Sequence, residues 1–163
     1  MADRTAGEGL SARGAIDPGK IEDALRESEA RYHLLFESSL DAILIGSRDD
    51  RILAANPEAC RMFGCEEEEL LRCCREDVVD PSDERWLAAI EERKRTGRFR
   101  SELRLRRRDG TVFHGEVTAQ TYHDRKGQER ISLQVKDITE REAAARLLRI
   151  QHRLARGLVS SNS

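Results

Sequence analysis

Four cysteines, Cys60, Cys65, Cys73 and Cys74, fall in one short stretch, and thiols this close together raise three chemistries: metal ligation, disulfide formation and redox sensing. Zinc calls for a paired spacing such as C-x-x-C, which neither Cys60-x4-Cys65 nor adjacent Cys73-Cys74 supplies. The four histidines, His33, His114, His123 and His152, are scattered and form no H-x-x-x-H pair. A disulfide scaffold needs a secreted context, and the N-terminus carries no apolar signal-peptide core. Small, half-buried thiols are the plainer reading, with a redox-sensing module at Cys73 or Cys74 as the sharper one. That role requires an exposed thiol of lowered pKa, and the flanking Arg72 and Arg75 push in that direction. No phosphate-binding glycine loop, nucleophile elbow or metal-ligand cluster appears, so the expectation is a protein that is not an enzyme.

The second set of chemistry-bearing residues is basic: Arg93, Lys94, Arg95, Arg98, Arg100, Arg104, Arg106, Arg107 and Arg108. Most of them alternate with Phe99, Leu103 and Leu105, which is the solvated face of a strand, and the acidic run Glu66 to Glu69 can balance them. The whole chain holds 29 basic and 31 acidic residues, a net charge of -2, without the positive excess of a nucleic-acid or membrane-coating protein. No nucleic acid and no membrane are therefore expected as partners. No window approaches the ~18 consecutive apolar residues of a membrane span, so the expected location is cytoplasmic. At 38% hydrophobic and 37% charged, the 163 residues suit one domain with solvated helices or tails at its ends.

The elements that would position these residues follow from periodicity. Residues 1–19 are small, polar and glycine-bearing, a disordered tail; 158–163 form another. Over 20–38 the apolar residues Ile21, Leu25, Tyr32, Leu35 and Phe36 recur at helical spacing, with Asp17 and Pro18 suited to the first turn. Asp41 to Ile45 and Arg51 to Ala55 read as a hairpin. Asn56-Pro57 starts a short helix that stops at Gly64, and Glu66 to Arg72 is a second, with Leu70 and Leu71 as its buried side. Ser82 or Asp83 caps a longer helix reaching Thr96-Gly97. Three strands of period two follow, turning at Asp109-Gly110 and at Asp124 to Gly127. Thr139-x-x-Glu142 fits a capping box, and Ala143, Leu147, Ile150 and Leu154 form a coiled-coil seam over 139–157. The predicted fold is α+β: a five-stranded antiparallel sheet with short helices on one face, flanked by amphipathic helices at both ends.

From about Glu29 to Arg141 the chain resembles a PAS domain of the S-box type. The resemblance rests on Tyr32-x-x-Leu35-Phe36-Glu37-Ser38-Ser39 leading into Asp41-Ala42-Ile43, then Asn56-Pro57, Ala59 and Phe63-Gly64. Asp80-Pro81-Ser82-Asp83, Arg108-Asp109-Gly110-Thr111-x-Phe113 and the C-terminal Asp137-Ile138-Thr139-Glu140-Arg141 complete it. It implies a core over 39–138 with a pocket between sheet and helices, for which the inward-facing candidates are Leu44, Phe63, Leu103, Leu105, Val117 and Leu133. It also implies a bacterial sensory module that signals through its flanking helices, as a homodimer, to an output such as a histidine kinase or diguanylate cyclase. Asp137, Thr139, Glu142, Leu147, Ile150 and Leu154 are the candidate transmission residues. A ligand-free interaction adapter of the same fold is the alternative.

The pocket ligand is left open by the resemblance. Haem-binding members usually carry an axial histidine on the long helix, and Ser82 to Thr96 contains no His, Cys, Tyr or Met. The photoactive flavin branch needs an Asn-Cys-Arg-Phe run after the second helix. Cys60-Arg61-Met62-Phe63 mimics it on the wrong helix, and Cys73-Cys74-Arg75-Glu76 lacks the remaining motif. Haem and photoactive flavin are both disfavoured.

Overall fold

The computed structural model describes Gly14 and residues 16–160, with the backbone alone for 157–160. The predicted tails at 1–19 and 158–163 lie largely outside these residues. The chain divides into two compact units, one ending at Leu35 and one running from Phe36 onward. Helix α1 (Pro18–Glu37), whose last two residues belong to the second unit, begins where Asp17 Oδ1 accepts the Gly19 N–H at 3.0 Å, and none of its residues is buried.

The second unit is built on one antiparallel sheet of order β2-β1-β5-β4-β3. The strands are β1 (Ala42–Ser47), β2 (Ile52–Ala55), β3 (Arg98–Arg106), β4 (Val112–His123) and β5 (Glu129–Asp137). Alternation settles which face is buried: Phe99, Leu103 and Leu105 point inward from β3, Phe113, Val117 and Ala119 from β4, and Ile131, Leu133 and Val135 from β5. The intervening residues, largely charged, face away. The turns sit at Gly110 (φ 84°) and Gly127 (φ 72°), left-handed positions that glycine adopts without strain.

Between β2 and β3 the chain makes α2 (Pro57–Phe63), α3 (Glu67–Arg72), a 3₁₀ turn (Arg75–Val78) and α4 (Arg85–Thr96), which cover the inner face. Helix α2 starts and ends as its sequence predicts, with Asn56 as cap and Gly64 left-handed at φ 70°. Asn56 does more than cap. Its side chain is completely buried, accepting from Ile43 N (2.8 Å) and Ala59 N (2.9 Å) and donating to Phe36 O (3.1 Å) and Asp41 O (3.0 Å).

Asp83 plays the matching part for α4. Its carboxylate takes the backbone N–H of Arg85 (3.1 Å) and both forks of the Arg85 guanidinium at 2.8 Å. It also takes the N–H of Arg104 on edge strand β3 at 2.6 Å, while Arg104 O accepts from Asp80 N at 2.8 Å. The loop thus satisfies an exposed strand edge and fixes the helix beside it. Burial works against the Asp83 carboxylate, but the bonds from Arg85 and Arg104 outweigh it and hold its pKa below the usual carboxylate range.

Two sequence expectations need correction. Leu71 faces outward (38% exposed), because a helix as short as α3 offers the sheet one leucine, and Leu70 takes that place. The 3₁₀ turn, where periodicity gives no signal, was not expected.

Asn56→Ala would remove the acceptor of the Ile43 and Ala59 N–H groups and a donor to the Phe36 and Asp41 carbonyls, so urea denaturation should show a loss of about 3 kcal/mol, beyond the ~1 kcal/mol of a lost cap alone. Asn56→Asp should be worse at pH 7, since a carboxylate would face two carbonyl oxygens. Retained stability in either variant would contradict this role. For Asp83, a depressed folded-state pKa means stability that is fully present above about pH 4 and lost as pH falls through the folded value. Asp83→Asn should therefore cost about 1–3 kcal/mol at pH 7, and the gap to wild type should narrow in acid. A pH-independent gap would refute it.

Candidate functional site

The six inward-facing candidates sit on four strands and on α2, which carries Phe63. Leu44, Phe63, Leu103, Leu105, Val117 and Leu133 line one internal cavity, together with Arg75, Val78, Val79, Trp86 and Val135. Its volume is about 20 Å³, room for roughly one water-sized group and far below the ~300–1,000 Å³ of a drug-sized ligand pocket. Side chains fill the space. Gly115 illustrates the tightness: a Cβ there would lie 2.5 Å from Leu105 Cδ1 and 3.1 Å from Val135 Cγ1.

A line of contacts leads from this cavity to the exit helix α5 (Thr139–Ser160). Phe63, on the cavity wall, meets Phe113 edge to face with ring centroids 5.8 Å apart. Arg107 lies over the Phe113 ring at 4.1 Å, donates through Nη1 to Met62 O, and donates through Nη2 to Asp137 Oδ2 at 2.9 Å. The other oxygen of Asp137 accepts Thr139 N–H at 2.9 Å. Burial raises the Asp137 pKa, but the bonds from Thr139 and Arg107 outweigh it and hold the carboxyl below its usual range.

The expected capping box is not formed. Glu142 N–H donates to Ile138 O at 2.9 Å, the ordinary helical bond, so Thr139 is the first helical residue and not the cap. The physical reason is Ile138, which is 3% exposed: burying it turns the chain into the helix one residue early. The Thr139 hydroxyl instead accepts His114 N–H from β4 at 3.2 Å, and His114 O accepts Ile138 N–H at 2.8 Å. Arg141, one half-turn on, pairs with Glu102 of β3 at 2.6 Å. The exit helix is therefore tied to the sheet at three strands.

Farther along α5, Leu147, Ile150 and Leu154 are exposed to 58%, 48% and 64%. With Ala143 and His114 the first two border a groove of about 590 Å³ beside Thr139.

Cys60, Cys65 and Cys73 are half-buried and Cys74 is exposed. Burial, followed by neighbouring acidic groups, pushes the Cys60, Cys65 and Cys73 thiols up, the opposite of what sensing requires. The expected help from Arg75 is missing because its side chain turns into the core, where the residue is 2% exposed. Among the described residues no group of three or more His, Cys, Asp or Glu side chains is placed to hold a metal ion. The basic stretch is largely paired: Arg100 with Glu116, Arg104 with Asp80, Arg107 with Asp137, and Arg108 with Glu69 of the acidic run. Arg75 and Arg107 are the site residues that sequence reasoning missed. In so arginine-rich a chain only their three-dimensional surroundings set them apart.

Comparison with known proteins follows the same geometry. The PAS domain family model matches residues 40–140. Sporulation kinase E of Bacillus subtilis (strain 168) is 30% identical over 107 residues, which is 66% of this chain and 14% of the kinase. The PAS domain of an HTR-like protein from Haloarcula marismortui is 26% identical, with a TM-score of 0.59 over 74% of this chain and 99% of that one. A PAS domain from a two-component sensor histidine kinase is 21% identical, with a TM-score of 0.60 over 71% of this chain and 98% of that one; this likeness is one of fold. The chain spans a small part, 14%, of the curated kinase it matches. With the family model matching well over half of its length, from strand β1 into the exit helix, the chain belongs to the PAS domain family.

Proposed function

We propose that this chain is a non-catalytic sensory module of bacterial signal transduction, of the S-box type, working in the cytoplasm. It acts as a homodimer, passing the state of its internal cavity through α5 to an output such as a histidine kinase or diguanylate cyclase. The observation that carries the reading is the continuous contact from Phe63 on the cavity wall, through Phe113 and Arg107, to Asp137 and Thr139 at the root of α5. A change in cavity packing that moves either aromatic ring displaces Arg107 and with it one of the bonds to Asp137. Likeness to a stretch of Sporulation kinase E supports a kinase as output. Among the described residues no helix is long and apolar enough to cross a membrane, which agrees with a module working in an aqueous compartment.

The cavity of about 20 Å³ favours a second reading, a ligand-free adapter that senses a partner protein instead of a molecule. Native mass spectrometry of the chain purified from its own host separates the two. A stoichiometric small molecule supports the sensor; a consistently bare chain supports the adapter.

Neither haem nor flavin fits the cavity volume, and α4 offers no axial ligand. The protein from a heterologous host should therefore be colourless; a Soret band near full occupancy, or a flavin spectrum surviving desalting, would overturn this.

Dimerisation is expected along the Ala143, Leu147, Ile150 and Leu154 face of α5, which offers the exposed apolar seam that a second copy covers. Sedimentation equilibrium should show a dimer that the double change Leu147→Glu and Ile150→Glu dissociates, because it places like charges at the seam. A wild type that stays monomeric at high concentration, or a dimer indifferent to the change, would rule this surface out.

A further inference from the structure

The internal cavity is lined by apolar surface alone, so Arg75 gives its wall a carbon stem, together with Leu44, Val78 and Trp86, and aims its guanidinium elsewhere. The stem crosses β1 at Gly46, where a Cβ would lie 3.6 Å from Arg75 Cδ and 3.8 Å from Nε. At its far end Nη2 contacts the carboxylate of Asp50 in the β1–β2 turn, and Arg75 N–H donates to Asp50 O at 2.9 Å. Arg75 is 2% exposed, whereas the Asp50 side chain is 46% exposed. One side chain thus runs from the cavity wall toward the surface, and a half-exposed carboxylate holds its end. The held position is costly on three counts. Nε is buried without a hydrogen-bond partner among the described residues. Burial, and then repulsion from Arg93 of α4, work against the charge, which Glu76 supports through space, and the Arg75 pKa falls to about 10. Asp50 itself takes a left-handed φ of 65°, the one non-glycine among the described residues to do so. Moving the guanidinium into water would relieve the first two costs, and a turn freed of it could relax the third.

We propose that Arg75 is the gate of the cavity and Asp50 its latch: when the pair parts, the stem leaves the wall and the cavity grows into a pocket for a small uncharged apolar molecule. This rests on the sensory reading above and deepens it, because it says how a closed space of about 20 Å³ takes up a ligand. The guanidinium moves outward with its charge, so the enlarged space keeps the apolar walls of Leu44, Val78 and Trp86 and selects against charge. A molecule that binds the open form alone draws the population toward it. The latch sets how rare that form is, and so how much ligand is needed.

Toluene, uncharged and too large for the closed cavity, is the probe, followed by ¹H–¹⁵N NMR and by the fluorescence of Trp86, the chain's single tryptophan. It should bind wild type weakly and saturably, moving the Trp86 signal and the Arg75 Nε–H resonance together. Asp50→Asn removes the latch charge and should tighten toluene binding about tenfold, because apparent affinity scales with the fraction of open molecules. Asp50→Gly should do the same while removing the strain at φ 65°, which guards against a variant that fails to fold. Arg75→Met loses the same ion pair but has no charge to draw it into water, so its stem should stay in the wall and toluene binding should be lost. Asp50→Asn that binds toluene no tighter than wild type, or Arg75→Met that binds it as tightly as Asp50→Asn, would overturn the gate. If toluene enters and α5 does not respond, the gate stands and the sensory reading falls. If a native small molecule binds wild type and Asp50→Asn equally, the sensory reading stands and the gate falls.

Discussion

Because the Asn56 amide is shut away from water, every donor and acceptor it carries must be met by protein, and the four groups that meet it come from separate parts of the chain. Phe36 lies in the last turn of α1, Asp41 and Ile43 stand at the start of the sheet, and Ala59 belongs to the first turn of α2. One side chain therefore fixes where the first strand starts and where the helical layer begins. Phe63 lies at the last residue of the same short helix, so its place on the cavity wall follows from the same constraint. A neutral amide suits the task because it presents an oxygen to two N–H groups and an NH₂ to two carbonyls. Aspartate or alanine does one half of that or none.

The exit side of the domain is held differently, by bonds that are partly open to solvent. Arg107, Asp137, Thr139 and His114 connect the β3–β4 hairpin, β5, β4 and α5 through contacts of 2.9–3.2 Å. Individually such bonds contribute on the order of 1 kcal/mol, against roughly 5–15 kcal/mol for a whole domain. That disparity suits a transmitting joint. The margin of a whole domain over one such bond leaves the core folded if the joint loosens, which is what the proposed transmission requires. The proposed coupling would run through packed and hydrogen-bonded neighbours, here Phe63, Phe113 and Arg107.

Much of this was legible in the sequence. Period-two alternation exposed β3, β4 and β5 because the outward residues are polar or charged and the inward ones largely apolar, and Asn56-Pro57, Gly64, Gly110 and Gly127 punctuate the chain by backbone chemistry that local sequence reveals. The pocket candidates on the strands followed the same alternation, and Phe63 came from the end of a short helix. Their failure to enclose a roomy pocket did not, since that depends on how closely Leu105 and Val135 approach Gly115 across strands. The capping register at Thr139 was misjudged by one residue because the burial of Ile138, a tertiary effect, decides where the helix begins. Arg75 and Arg107 were hidden for a related reason. An arginine that turns inward looks, in sequence, like the many that face water.

The central claim is that cavity packing is coupled to the first turn of α5, and native-state hydrogen exchange at the Glu142 amide tests it most directly. That N–H donates to Ile138 O at 2.9 Å and reports the opening of the turn. Phe113→Leu breaks the aromatic link at the start of the route, whereas Ile52→Val removes a buried methylene on β2, away from it. The account predicts that Phe113→Leu speeds Glu142 exchange by a factor larger than its effect on the central strand β5, while Ile52→Val slows or speeds both alike. Equal responses to the two substitutions, with no selective opening at Glu142, would contradict it.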